Sequence, residues 1–463
     1  MARLDRRVLI GTGVVAAAIV LVAAVCIALF LDVNRYKPSI EEAISQSLGM
    51  ELEIRGNVAL RPLPRPVLSG RDIHLAKGMR EILSAEELQV SPRWIPFIVH
   101  RRISIDRLVL QRPRVRLEQR IAVSLRPGKM SSVSVQDGEV SYLDQSSGKS
   151  LEVRGLEVRF SGISLGESDE LQTLARLKPL SLRGTLQATT VQVGTLRASD
   201  VKCGVKAEAG LLQLDPVEMT LFGAPWVGSV TLDGQGSAPR IQAGGASQVD
   251  LGQVFPGEEQ YFAGTVQASF QVGGTGADLR AVTSATRGVL SVRGEHLSIR
   301  GWDVDQLIED YNRTQKFSLI DLGAVLVAGP FGPLLTKGSD FARLYGGMGH
   351  GASEIRKLVS DWEIVDGMAT AKDVAFSTLK NTVAFRGKVN LVNDSLENFF
   401  VATVDQQGCA QVKQRITGSF AHLHAPGLAS QSIFGAIGSA VQGALNLGRS
   451  DRCDLFYSGS ALP

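Results

Sequence analysis

Val8 to Leu31 is a run of 24 residues without a charged side chain. No other feature constrains the chain as strongly. A helix needs roughly 20 apolar residues to cross a hydrocarbon core of about 30 Å. A cleaved leader would show an apolar core of about 7–15 residues and then a small-x-small site. Here Phe30 and Leu31 stand where the small residues would be. Cys26 is preceded by Val25 rather than by a small residue, so it reads as a helix residue and not as a lipoprotein cysteine. The run is therefore read as an uncleaved transmembrane helix bounded by Val8 and Leu31. Arg3, Arg6 and Arg7 precede it, against Asp5. Basic residues next to a span stay cytoplasmic, which puts residues 1–7 inside and everything after Asp32 on the far side. Gly11-Thr12-Gly13-Val14-Val15-Ala16 imitates a dinucleotide fingerprint, but it lacks the polar helix face and the βαβ units that such a site needs.

Beyond the span, Ile40, Ala43, Ile44 and Leu48 recur at helical spacing between Pro38 and Gly49. They predict a collar helix just outside the membrane, with Ile40, Ile44 and Leu48 on its apolar face. After Gly49 the period becomes two: Leu52 and Ile54 alternate with Glu51, Glu53 and Arg55. Arg112, Arg114, Arg116, Glu118 and Arg120 share one parity, while Val115, Leu117 and Ile121 share the other. This is the pattern of a half-buried strand. It recurs at Leu151–Phe160, Thr185–Ala198, Val227–Asp233, Gly264–Val272, Gly288–Arg293 and Val383–Val392, punctuated by Gly, Asp and Asn. Common strand and turn lengths give about 30 strands. The expected body is mainly β, an antiparallel meander or elongated sheet with few helices.

Three helical stretches are expected later. Val304, Leu307, Ile308 and Tyr311 mark one face, and Phe341, Leu344 and Tyr345 another. Ala429 to Leu447 is uncharged, with Ile433, Ile437, Val441 and Leu445 along an apolar stripe. Its Gly, Ser and Gln content makes it a poor second span. One reading has it closing the end of the sheet; another has it touching a second membrane or a partner.

The chemistry-bearing residues are sparse. There are 4 cysteines and no C-x-x-C pair. Cys409 and Cys453 flank the uncharged stretch in a compartment where disulfides persist, so they are expected to pair. Cys203 lies in a strand-like run and reads as a buried small hydrophobe. His422 and His424 are two ligands without a third, a weak metal site. Gly162-Ile163-Ser164-Leu165-Gly166 matches a nucleophile pattern, but Glu167–Glu170 follows where an apolar helix is required. Between Arg93 and Arg126 stand nine arginines and two acids, either a surface for anionic headgroups or the solvated face of strands. The net charge of +3 argues against a nucleic-acid binder. No enzyme activity, metal or cofactor is expected.

Several stretches resemble the AsmA family: Asp32 to Ile44, Gly49 to Gly56, Arg61 to Leu68, Asp106 to Val115 and Asp137 to Asp144 near the N-terminus. Asp310 to Gln315, Asp321 to Gly338, Val359 to Trp362, Gly408-Cys409 and Cys453 to Tyr457 continue the likeness near the C-terminus. The resemblance implies a single-pass inner-membrane protein of Gram-negative cells. Its periplasmic body would be an elongated, curled antiparallel sheet with an open apolar groove. It also implies an expected organisation: a tail (1–7), a span (8–31), an N-terminal β region with the collar helix (32–160), a central β region (161–300) and a disulfide-closed C-terminal region (301–463). The implied function is handling or transfer of phospholipid for outer-membrane biogenesis. The alternative is a non-enzymatic assembly factor whose partners are outer-membrane assembly proteins.

Overall fold

The structure is a computed structural model. It describes residues 33–38, 41–42, 45, 50–61, 66–78, 80–92, 105–117, 128–144, 149–166, 180–194, 196–236, 238–254, 262–276, 279–301, 303–306, 308–309, 351–393, 395–416 and 453–462. The expected span Val8–Leu31 and the side chains of Ile40, Ile44 and Leu48 lie outside these residues. Among the described residues no helix is long and apolar enough to cross a membrane. Val33–Tyr36 form a 3-10 turn, and Lys37, Pro38, Glu41, Glu42 and Ser45 are helical.

Among the described residues the chain is mainly β, with 21 strands in one large sheet. It divides into two compact units, Met1–Gly194 with Lys202–Leu211, and Thr195–Val201 with Leu212–Pro463. The first holds β1 (Glu51–Ile54), β2 (Val58–Arg61), β3 (Val67–Lys77), β4 (Arg80–Pro92), β5 (Ile105–Gln111), β6 (Arg114–Leu117), β7 (Gly128–Asp144), β8 (Lys149–Leu165) and β9 (Leu180–Val193). Next comes β10 (Leu196–Glu208), which the boundary divides. The strands are fewer than common lengths suggest because they run long: β7 and β8 have 17 residues each. β1 and β2 both lie antiparallel to β3, and β3 to β4. β5 and β6 follow β4 antiparallel but meet β7 in parallel, through Leu110↔Val135 and Val115↔Val140. The sheet is therefore mixed, not purely antiparallel.

The second unit is a meander: β11 (Leu211–Leu221), β12 (Ala224–Asp233), β13 (Arg240–Asp250), β14 (Phe262–Ala263), β15 (Thr265–Thr275), β16 (Arg287–Arg300), β17 (Ala352–Val365), β18 (Met368–Ser377), β19 (Thr382–Asn390), β20 (Ser395–Val404) and β21 (Ala410–Ile416). Among the described residues, short helices interrupt it: α1 (Leu251–Val254), α2 (Leu279–Ser284) and a turn of helix at residues 304–306 and 308–309. β17 and β18 are joined by Asp366–Gly367, both at positive φ (51° and 74°), the two-residue turn whose twist matches a hairpin.

The alternation of apolar and polar residues changes phase inside the strands. In β8, Leu151 and Val153 are less exposed than Glu152 and Arg154, and then Leu156, Val158 and Phe160 take over on the other parity. Gly155 sits between them at φ 62°. On β9 the matching step runs from Ala188 to Val191. A Cβ on Gly155 would come within 2.2 Å of Thr189 Oγ1. Asp72 in β3, Asp137 in β7, Asp200 in β10 and His296 in β16 mark the same step at φ 51–54°. The register runs unbroken across Gly155, from Arg154↔Thr190 to Glu157↔Gln187, so both strands step together and the apolar set stays on one face. The expected run Thr185–Ala198 is in fact two strands, broken at the Gly194 turn. The Gly162–Leu165 pattern lies inside β8, in the ladder rather than at an elbow.

Candidate functional site

The phase steps align apolar side chains into rows that cross the first unit. One row runs Gly70, Leu88, Leu110, Val135, Val158, Leu186, each paired in register with the next. A second runs Leu68, Val90, Leu108, Val133, Phe160. A third, beyond the phase step, runs Leu75, Leu83, Val115, Val140, Val153, Val191. At about 4.8 Å between strands, the six-strand first and third rows are about 24 Å long and the five-strand second row about 19 Å. Both lengths exceed the roughly 15 Å of acyl chain in half a bilayer's hydrocarbon core.

Most of these side chains are only half-buried. Val133, Val135, Leu156, Phe160, Leu182, Leu186 and Val191 all retain accessible surface, whereas Val158 and Ala188 are buried. The neighbouring parity is charged and exposed: Arg154 pairs with Glu152 at 3.1 Å and Arg159 with Glu157 at 3.9 Å. Such exposed pairs contribute little stability. They keep this face wet and leave the aliphatic face as the surface that gains from an apolar partner. Of the arginine-rich stretch, Arg112 meets Glu86, and Arg114 meets Glu139 at 3.4 Å. These two are side chains of a solvated strand face.

The second unit presents the same pattern closed. Twenty-five apolar residues there form one buried cluster, with Val249, Val266, Val304, Ile355, Phe376, Val383 and Val401 at 0% exposure. Trp362 stacks on Phe399 at 6.2 Å, and Phe376 meets Phe385 at 6.4 Å. The expected helix at Val304 and Ile308 packs into this cluster; Tyr311 and the Phe341–Tyr345 face lie outside the described residues.

Cys409 and Cys453 form a disulfide with Cα atoms 5.2 Å apart. Residues 453–462 then run back over β20, β19 and β18. Leu455 bridges Cys409, and Phe456 and Tyr457 donate their backbone N–H groups to Gly408 O at 2.9 and 3.1 Å. Ala375, Ala384 and Ala402 stand in one row across the three strands, and their small side chains leave room for Phe456, Tyr457 and Ala461. The Tyr457 hydroxyl donates to Asp373 Oδ1 and accepts from Ala461 N at 2.9 Å, while Ser460 N donates to Asp373 Oδ2 at 3.0 Å. Asp373 is the register partner of Asp361, which is held separately by Ser291 and Arg293 at 2.5 Å each. The stripe Ile433, Ile437, Val441 and Leu445 and the pair His422 and His424 lie outside the described residues. Cys203 is a free, buried thiol in β10, and burial pushes its pKa up. No group of metal-ligating residues exists among the described residues.

Residues 6–122 match the model of the AsmA family. The match takes in β1 to β6, and with them the first half of each apolar row, and it supports an AsmA family protein. No curated protein and no solved structure matches the chain. The rows themselves escape a reading of single strands, because each residue of a row comes from a different strand. Their signal is the three-residue spacing of apolar residues around a mid-strand Asp or Gly.

Proposed function

We propose that the chain handles phospholipid along the half-buried aliphatic rows of β3 to β9, anchored in an inner membrane by Val8–Leu31, with its β-body in the periplasm. The observation that carries the reading is the uninterrupted row from Leu88 to Leu186, apolar on every strand and accessible along most of its length. Bulges bend strands and increase their twist. We read the left-handed steps repeated at Asp72, Asp137 and Gly155 as curling the apolar side into a groove. Acyl chains gain about 25 cal/mol for each Å² of apolar surface that leaves water there. AsmA family membership is consistent with a role in outer-membrane or lipid-related biogenesis. The test places a photoreactive amino acid at Leu156 and Leu186 on the apolar side, and at Arg159 and Gln187 on the charged side. Lipid adducts from the first pair alone support the proposal. Equal capture from both sides, or none, overturns it. Protein adducts alone, with normal lipid distribution after deletion, favour the assembly-factor reading.

A further inference from the structure

The two units treat the same alternating pattern differently. In β3 to β9 the apolar rows are aliphatic, apart from Phe160 and Tyr142, and largely half-buried. In β12 to β20 the corresponding row Val266, Gly294, Leu358, Phe376, Val383 is buried throughout, and aromatic rings occupy the space beside it. The face is also closed by a bolted helix. Val304 and Ile308 enter the cluster at 0% and 2% exposure. Val304 N donates to Ser353 Oγ at 2.6 Å. Asp305 accepts from Thr378 Oγ1 at 2.5 Å and from Asn381 Nδ2 at 2.7 Å, both in the β18–β19 turn. The Asp303 carboxylate caps the same turn of helix through Gln306 N at 3.0 Å. These bonds join the helix to β17 through Ser353 and to the β18–β19 turn through Thr378 and Asn381.

We infer that acyl chains occupy the β3–β9 rows and are excluded from the β12–β20 interior, which is filled by its own side chains. The inference rests on the lipid reading of the first unit. Interiors packed at crystal-like density have no space for a further chain. To admit one, Trp362 and Phe399 would have to unstack and the Asp305 bonds would have to break. The device gives the protein a direction. Cargo enters and leaves only through the unit that follows the membrane anchor, and a partner that receives it must meet that unit.

The experiment uses the full chain in membranes. A benzoylphenylalanine replaces Phe160 in the first unit, or Trp362 or Phe385 in the second, so each substitution exchanges one aromatic ring for another. Retention of the Cys409–Cys453 disulfide reports folding, and adducts are read by mass spectrometry. The expected result is a phospholipid adduct at Phe160 and none at Trp362 or Phe385. Adducts at all three positions would overturn the filled interior and leave the lipid reading intact. Absence of adducts everywhere would overturn the lipid reading itself. Hydrogen exchange on the unsubstituted chain supplies the second measurement. Phospholipid vesicles should slow exchange in β7 to β9 and leave β17 to β19 unchanged; slowing in β17 to β19 would contradict the inference.

Discussion

The Tyr457 hydroxyl is hydrogen-bonded to the carboxylate of Asp373, 84 residues earlier in the chain. The pair fastens the C-terminal segment to the Ala375 face of β18, over the alanine row. A hydrogen bond to a charged group is worth about 1.5–3 kcal/mol. Tyr457→Phe should cost about that much, measured by denaturant unfolding near neutral pH, because Asp373 keeps Ser460 N and loses its other donor.

The same pair sets an alkaline limit. Burial first, and the hydrogen bond to Asp373 second, push the Tyr457 hydroxyl above its ordinary value of 10.0. Because the folded value is raised, its contribution is fully present below that value and is lost as pH rises beyond it. Unfolding of the wild type should therefore become easier above about pH 10, and Tyr457→Phe should lack that component of the slope.

Closing residues 409 to 453 with a disulfide removes loop entropy from the unfolded chain. For a separation of 44 residues the chain-entropy model gives about 4 kcal/mol. Cys453→Ser should lower the unfolding midpoint accordingly and free the 453–462 segment for proteolysis. Protease resistance equal to that of the wild type would show that the Tyr457–Asp373 contact holds the segment alone.

Asp137 carries the phase step of β7 at φ 51°. A β-branched side chain is strained there, and left-handed geometry costs roughly 1–2 kcal/mol. Asp137→Val should destabilise by that order, while Asp137→Gly should not, as read from thermal melts of the two variants.

At the acid end, the hydrogen bond from His74 is the first cause that holds Glu81 below its ordinary value of 4.5. The two groups are 3.1 Å apart. A depressed carboxylate stabilises the fold above its ordinary value, and the contribution disappears as pH falls through the depressed one. His74→Ala should remove this small acid-side slope in unfolding curves between pH 5 and pH 3.

Much of the β-body is legible in local spacing. The runs at Leu151–Phe160 and Gly288–Arg293 are strands because alternation is a property of neighbouring residues. The step at Gly155 is not legible that way, since it appears as a defect in the alternation until the partner strand shows Ala188 and Val191 stepping with it. The parallel entry of β5 and β6 onto β7 is hidden for the same reason: pairing direction belongs to two segments, and each alone reads the same either way. Cys409 and Cys453 stand out in a sequence with few cysteines. Tyr457 and Asp373 do not, because one tyrosine and one aspartate 84 residues apart carry no mutual signal. The half-open apolar rows could be expected only as strand faces; their continuity from Leu88 to Leu186 emerges from register.

The central claim is that these rows bind acyl chains. Its most direct test is native mass spectrometry of the full chain extracted with its surrounding membrane lipid, comparing wild type with a Leu156→Asp, Leu186→Asp double variant. The account predicts bound phospholipid on the wild type and its loss from the double variant, with the Cys409–Cys453 disulfide intact in both. Equal phospholipid on the two proteins would contradict it.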